Sequence, residues 1–122
     1  MVRERKTKGP IMVEKNIYLP ILYCGSLVID PQCCSVTLNK EKLQMCKSLF
    51  RVLYLLAEHP GWVFTKEQIY EEIYGEESVI DIDNTIYCLI RDLRKKFEFN
   101  STYAKCIQTV RGVGYKFVVP EE

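Results

Sequence analysis

The chain has 122 residues, which is enough for one domain with its own core and too few for two full domains. Hydrophobic residues make up 48% of it and charged residues 27%, a balance typical of a globular protein in water. No apolar run approaches the length that crosses a bilayer, and the basic N-terminal residues are not followed by the apolar stretch of a signal peptide. We therefore expect a cytoplasmic protein without a membrane segment.

The N-terminal residues differ in composition from the rest of the chain. They are basic, contain Gly9 and Pro10 and show no periodicity, so residues 1–16 are predicted to be a linker or flexible arm. The predicted domain covers residues 17–120. It begins with four segments rich in strand-forming residues, which predict a small antiparallel sheet. These segments are residues 18–23, 26–29 and 35–38 and a short piece near Leu43, with turns at Asp30-Pro31 and Asn39-Lys40.

The next two segments have the periodicity of helices. Residues 47–58 place their apolar side chains on one face, and His59-Pro60-Gly61 ends this helix. A second helix opens on a capping box at residues 65–68 and ends at Gly75. Trp62 lies in the connection between them and is expected to pack between the sheet and the helices.

Residues 85–97 are predicted to form a third helix. Ile86, Ile90, Leu93 and Phe97 recur at spacings of four, three and four, which defines one buried stripe. The opposite face is polar and mostly basic, so it is suited to a partner. It carries Asn84, Cys88, Arg91 and Lys95, with Tyr87 and Arg94 to one side.

The start of this helix offers a second way to hold an anion. Asp83 or Asn84 is expected to cap the first turn. Thr85, just inside it, is expected to offer its hydroxyl to a phosphate, because a helix N-terminus already favours negative charge.

A glycine-containing hairpin is predicted near the C-terminus. The runs 106–110 and 115–119 are rich in strand-forming residues, and they are joined by a loop in which Gly112 and Gly114 tolerate positive φ angles. Arg111 then lies near the tip, where a long cation reaches a phosphate or a narrow minor groove. Taken alone, the same pattern fits an ordinary solvated turn.

Charge is segregated along the chain although the formal net charge is only +1. Residues 64–84 hold one lysine and seven acids, a net charge of −6, whereas residues 85–117 hold seven basic residues and two acids, a net charge of +5. This division predicts one surface for a polyanion and another for a different partner.

The order helix, helix, longer helix, hairpin is that of a winged helix-turn-helix domain of the α+β class, in which the third helix enters the major groove and the hairpin is the wing. From about Cys24 to Val118 the chain also resembles the OmpR/PhoB-type effector domain of bacterial response regulators, including the small sheet that precedes the helices. The matching phrases are Gly25-Ser26-Leu27-Val28-Ile29-Asp30, His59-Pro60-Gly61-Trp62-Val63, Tyr74-Gly75, Asp92-Leu93-Arg94-Lys95-Lys96 and Thr109-Val110-Arg111-Gly112-Val113-Gly114-Tyr115.

The resemblance implies a sequence-specific transcriptional regulator of the two-component type, without catalysis, cofactor or metal. It implies double-stranded DNA as the partner, with head-to-tail pairing on direct repeats. The residues expected to contact DNA are Asn84, Thr85, Tyr87, Cys88, Arg91, Arg94, Lys95, Thr109, Arg111, Gly112 and Tyr115. The loop between the second and third helices is expected to touch RNA polymerase through Gly75, Glu76, Glu77 and Asp81. A receiver domain normally precedes this module, so we expect either an excised effector domain or a small stand-alone regulator.

The third helix departs from the family pattern. Residues 84–89 read Asn-Thr-Ile-Tyr-Cys-Leu where the family often has Arg-Thr-Val-Asp-Val-His, and Asp92 stands at a position that is frequently Arg. A carboxylate at this position repels phosphates unless it accepts a hydrogen bond from a cytosine amino group. The target sequence therefore does not transfer from relatives. Asp92, Leu89 and the near-neutral net charge also favour an alternative, a winged helix used for protein interaction with little DNA binding.

The six cysteines do not form a recognisable metal site. The chain has no CxxC pair and a single histidine, so no zinc-finger spacing exists. Most of the thiols are expected to be small buried hydrophobic groups in a reducing compartment. A cysteine-dependent enzyme or redox sensor is the third class of function to be tested.

Overall fold

The computed structural model describes residues 19–75 and 81–121. The predicted linker, residues 1–16, lies outside the described residues. The strands are β1 (Leu22–Cys24), β2 (Leu27–Asp30), β3 (Ser35–Leu38), β4 (Glu41–Leu43), β5 (Phe64–Thr65), β6 (Ile107–Val110) and β7 (Gly114–Phe117). The helices are α1 (Lys47–Glu58), α2 (Lys66–Tyr74) and α3 (Ile82–Lys95).

The predicted N-terminal sheet is confirmed as an antiparallel meander in the order β1-β2-β3-β4. Alternate side chains face the core, because successive residues of a strand point to opposite faces of the sheet. The fully buried ones on the two central strands are Leu27, Ile29, Val36 and Leu38. The turn at Asn39-Lys40 is also confirmed. Both of its residues have positive φ, 53° and 70°, as a two-residue hairpin turn with the favoured twist requires.

Helices α1 and α2 begin and end close to their predicted positions. The Thr65 hydroxyl accepts from the backbone N–H of Gln68, and the Gln68 side chain accepts from the backbone N–H of Thr65, which completes the predicted capping box. At the other end of α2, the Arg51 guanidinium on α1 donates to the carbonyl oxygens of Glu72 and Ile73. A cation at a helix C-terminus satisfies carbonyls that have no partner within the helix and complements the helix dipole.

The second sheet has one strand more than the predicted hairpin. The short strand β5, immediately before α2, pairs with β7, so the order is β5-β7-β6. This pairing fastens the hairpin to the body of the domain. It also corrects the prediction for Gly114, which does not adopt a positive φ. A Cβ there would lie 1.9 Å from the carbonyl oxygen of Phe64, so Gly114 is required by the close approach of two backbones.

Within the described residues, the core joins both sheets to helices α1, α2 and α3. Its largest fully buried side chains include Phe50, Phe97, Phe117 and Tyr103. Tyr103 connects the two ends of the domain. Its hydroxyl donates to the carbonyl of Cys24 at 2.9 Å and accepts from the backbone N–H of Ser26 at 2.9 Å, so it secures the β1–β2 turn to the segment that follows α3.

Tyr103→Phe removes both hydrogen bonds while it keeps the buried ring. We expect the free energy of unfolding to fall by about 2 kcal/mol, because each bond contributes about 1 kcal/mol and the Cys24 carbonyl, whose bond is buried, loses its donor. Urea unfolding of the two proteins measures this difference. Tyr23→Phe is the matched control, since Tyr23 is 72% exposed. Equal midpoints for Tyr103→Phe and the parent protein would contradict the prediction.

Candidate nucleic-acid interface

The third helix starts earlier than the sequence predicted. It begins at Ile82, and its N-cap is Asp81, whose carboxylate accepts from the backbone N–H of Asn84 at 3.0 Å. The prediction that Asp83 or Asn84 caps the helix was therefore wrong. Asp83 lies in the first turn, where it forms a 3.0 Å ion pair with Lys66 at the start of α2. This hydrogen-bonded pair raises the pKa of Lys66 and links the first turns of α2 and α3.

The buried stripe of α3 is confirmed. Ile86, Ile90, Leu93 and Phe97, which follows the last turn, are all at most 1% exposed. Packing of this stripe against α1 and α2 fixes which face of α3 points outward. That outer face carries six of the predicted contact residues. Asn84, Tyr87, Arg91 and Lys95 are exposed, and Thr85 and Cys88 are half-buried.

Thr85 uses its hydroxyl within the helix. The hydroxyl donates to the carbonyl of Asp81 at 2.8 Å, and the backbone N–H of Thr85 bonds the same carbonyl at 3.1 Å. A hydrogen bond from this hydroxyl to a phosphate would have to replace the bond that it makes to Asp81. The predicted hydrogen bond from Thr85 to a phosphate would therefore break a hydrogen bond within the helix.

Arg91 and Asp92 form an ion pair at the outer face of α3. The Nε and Nη2 atoms of Arg91 both lie 3.1 Å from Oδ1 of Asp92. The hydrogen bond with Asp92 raises the pKa of Arg91. The two side chains are 47% and 46% exposed, so the pair is open to an incoming ligand.

Arg94 joins α3 to the hairpin. Its Nε donates to the carbonyl of Ile107 at 3.2 Å, and its Nη2 donates to the hydroxyl of Thr109 at 2.8 Å. The guanidinium also lies over the ring of Tyr115, 5.9 Å from the centroid. Three predicted contact residues, Arg94, Thr109 and Tyr115, are thus brought together as a bridge between helix and strand. The sequence did not reveal this bridge, because Arg94 on α3 contacts residues of β6 and β7 that lie far from it in the chain.

The tip of the hairpin is open. The backbone N–H of Val113 bonds the carbonyl of Val110 at 2.9 Å and closes the turn. Gly112 has a φ of 79°, which a residue with a side chain rarely adopts, so this predicted glycine requirement is confirmed. Arg111, Gly112 and Val113 are exposed. The predicted wing therefore presents one arginine at its end.

The predicted polymerase-contact loop is described only at its two ends. Gly75 caps α2 with a φ of 67°, and its N–H bonds the carbonyl of Glu71 at 2.9 Å. Asp81 caps α3. Glu76 and Glu77 lie outside the described residues. Next to this loop, α2 carries exposed acids on its outer surface at Glu67, Glu71 and Glu72.

The cysteines are less buried than predicted. Only Cys24 and Cys106 lie in the core, and burial raises the pKa of the Cys106 thiol to about 12. Cys88 is half-buried on α3, and the other three, Cys33, Cys34 and Cys46, are exposed. Among the described residues, no group of three His, Cys, Asp or Glu side chains could hold a metal ion.

Trp62 also lies elsewhere than predicted. It is 59% exposed and stacks on His59 with ring centroids 4.1 Å apart, outside the interface between the sheets and the helices. The indole instead covers the end of α1. In the part of the chain that the structure describes, no helix is long and apolar enough to cross a membrane.

In the described residues, helices α1, α2 and α3, the exposed polar face of α3 and the hairpin beside it are arranged as in winged helix-turn-helix domains. A family model described as the C-terminal part of transcriptional regulatory proteins matches residues 40–117. The chain belongs to this family, in its OmpR/PhoB-type branch.

Relatives and solved structures agree with this assignment. Over 89 residues the chain is 38% identical to the transcriptional regulatory protein YvrH of Bacillus subtilis, covering 73% of this chain and 37% of that protein. Over 96 residues it is 38% identical to the response regulator ArlR of Staphylococcus epidermidis, covering 78% and 42%. The DNA-binding domain of RstA from Klebsiella pneumoniae, solved in complex with its RstA box, superposes with a TM-score of 0.70 at 30% identity, covering 82% of this chain and 98% of that domain. The chain therefore spans less than half the length of these two curated relatives.

Proposed function

We propose that this domain is the sequence-specific DNA-binding element of a transcriptional regulator of the response-regulator type. The outer face of α3 enters the major groove and the hairpin lies on the adjacent backbone or minor groove. The observation that carries the proposal is the Arg94 bridge, which joins α3 to β6, the strand that leads to the Arg111 tip, so the two exposed surfaces form one unit. A solvated helix and an independent turn would need no such connection.

Within this unit the contact residues have different roles. Arg91, Asn84 and Tyr87 are exposed on the face that enters the groove, so they are proposed to meet base edges. Lys95 and Arg111 lie at the ends of the surface and are proposed to meet phosphates or the narrow minor groove. Arg94, Thr109 and Tyr115 act mainly by fixing the hairpin relative to the helix.

Selection from random double-stranded DNA, followed by titration of the selected site at several salt concentrations, tests the proposal. Because cationic side chains displace counterions from phosphates, log affinity should fall steeply as log salt rises. A flat response or no binding would favour the rival function, a winged helix that binds protein and little DNA.

Arg111→Ala should weaken binding to all DNA sequences by about tenfold, because it removes one phosphate or minor-groove cation at the wing tip. The salt slope should fall by about one unit, since one fewer counterion is displaced. Lys42→Ala is the charge-matched control, because Lys42 lies on β4 of the other sheet. Equal losses for the two variants would place the contact surface elsewhere.

The acidic surface beside the DNA-binding face is proposed to meet a second partner. Glu71 and Glu72 are exposed on α2, and they line a shallow groove with Leu55, Phe64 and Gln68. Together with the loop between α2 and α3, this surface is proposed to contact a basic region of RNA polymerase. Glu71→Lys should then reduce transcription from a target promoter without lowering affinity for DNA. A parallel loss of DNA affinity would contradict a separate partner surface.

The domain is proposed to work in the bacterial cytoplasm and to gain affinity by head-to-tail pairing on direct repeats. Titration of DNA with one or two copies of the selected site measures this gain. The relatives are longer than this chain, so control by a receiver domain is proposed for a full-length regulator.

A further inference from the structure

The Arg91–Asp92 ion pair on α3 bears on which bases the domain selects. Asp92 brings a negative charge to the face proposed to meet a polyanion, so it lowers affinity for DNA in general. An exposed ion pair of this kind contributes little to folding stability. Its geometry, in contrast, determines which donors of Arg91 can meet a ligand.

The ion pair uses a defined part of the guanidinium. Arg91 has five N–H groups. Its Nε donates to Oδ1 of Asp92, and Nη2 lies 3.1 Å from the same oxygen. Both hydrogens of Nη1 and the second hydrogen of Nη2 remain available. One hydrogen of Nη1 and the second hydrogen of Nη2 form an end-on pair of parallel donors, whereas the side-on edge, Nε with Nη2, faces Asp92.

An end-on pair of donors matches the two acceptors of guanine, O6 and N7, in the major groove. Holding the guanidinium by one edge reduces the rotamer freedom that is lost on binding. The carboxylate beside it adds discrimination. It accepts a hydrogen bond from the amino group of cytosine, but it repels acceptor groups such as thymine O4 and the phosphates.

We propose that Asp92 is a specificity-determining residue that holds Arg91 for end-on recognition of guanine and penalises sequences lacking a G·C pair at this point. This inference rests on the proposed DNA-binding function. Asp92 trades general affinity for selectivity, which is a form of specificity that acts against wrong partners. When Asp92 is removed, the affinity for unrelated DNA should therefore rise, whereas the ratio of the affinity for the selected site to the affinity for unrelated DNA should fall.

The experiment measures dissociation constants for the site selected by the parent protein, for the same site with its G·C pairs changed one at a time, and for an unrelated duplex. Asp92→Ala is expected to bind the unrelated duplex several-fold more tightly, because one negative charge is lost. For Asp92→Ala, the affinity for the selected site divided by the affinity for the unrelated duplex should fall by about tenfold. One G·C pair of the selected site should, when replaced, weaken binding by the parent protein most. Replacing that same pair should change the affinity of Asp92→Ala and of Arg91→Ala least.

Glu98→Ala is the matched control. It removes the same charge from an exposed position beyond the end of α3, so it should tighten binding to both duplexes without changing their ratio. Asp92→Asn keeps an oxygen that accepts from Arg91 but loses the charge, and it should retain part of the ratio. All variants should unfold at the parent's urea concentration, because the pair is on the surface.

The inference is overturned if Asp92→Ala has the parent's ratio, or if Glu98→Ala lowers the ratio equally. In both cases the parent still binds its selected site, so the DNA-binding function stands. If the parent selects no sequence at all, the function and the inference fail together.

Discussion

Replacing Gly114 with alanine is expected to lower the free energy of unfolding by about 3 kcal/mol or more, because a methyl group does not fit between β7 and β5. Its Cβ would lie 1.9 Å from the carbonyl oxygen of Phe64 and 2.9 Å from the Cα of Thr65. Both are backbone atoms that no rotamer change can move. The strands must therefore separate, with loss of the β5–β7 hydrogen bonds. Urea unfolding monitored by circular dichroism measures the change.

Gly112→Ala is the informative control for this prediction. A Cβ at Gly112 would meet no atom within 4 Å, so only its φ of 79° opposes the substitution. That strain costs about 1 kcal/mol in the left-handed region. If Gly112→Ala and Gly114→Ala lowered the free energy of unfolding equally, the requirement for glycine at position 114 would come from backbone conformation and not from the close approach of β5.

Arg94→Ala is expected to reduce affinity for the selected DNA by about 30-fold, although the guanidinium donates to protein groups. Two charge-assisted bonds join α3 to β6, and each such bond contributes about 2 kcal/mol. Without them the hairpin is still paired to β5 but is held less closely to α3, so part of the binding free energy is needed to order the two surfaces. Fluorescence anisotropy with labelled DNA gives the affinity.

Arg94→Lys separates geometry from charge. Lysine keeps the positive charge but lacks the planar fork that reaches Ile107 and Thr109 together, so affinity should stay low while the salt slope remains that of the parent. Lys95→Ala, on the exposed face one residue later, should lower the slope by about one unit. If Arg94→Lys restores full affinity, Arg94 acts as a simple phosphate contact.

Local patterns were sufficient to predict the helices and most of the strands. The stripe formed by Ile86, Ile90 and Leu93 encodes the inner face of α3, since an amphipathic period is visible in sequence. The capping box at Thr65 and Gln68 was readable for the same reason, because its two partners are three residues apart.

The features that escaped prediction depend on contacts between distant segments or on small differences between neighbours. Strand β5 has two residues and exists only because β7 lies beside it. A segment this short has no periodicity from which a strand could be predicted. Asp81 and Asp83 are equally good capping residues, and the choice follows from where the helix begins. Likewise, the sequence shows Arg94 as one of several cations, and only the fold directs it to β6.

The hydroxyl of Tyr103 has a consequence for how this domain folds. It bonds Ser26 and Cys24, which lie 77 and 79 positions earlier in the chain. These bonds therefore form only after a long loop has closed. Since the ring is buried and its hydroxyl is bonded to the β1–β2 turn, separating the N-terminal sheet from the C-terminal segment exposes it to water. The sheet and the winged helix should therefore unfold in a single cooperative transition, with amides in β2 and α3 exchanging hydrogen at similar rates.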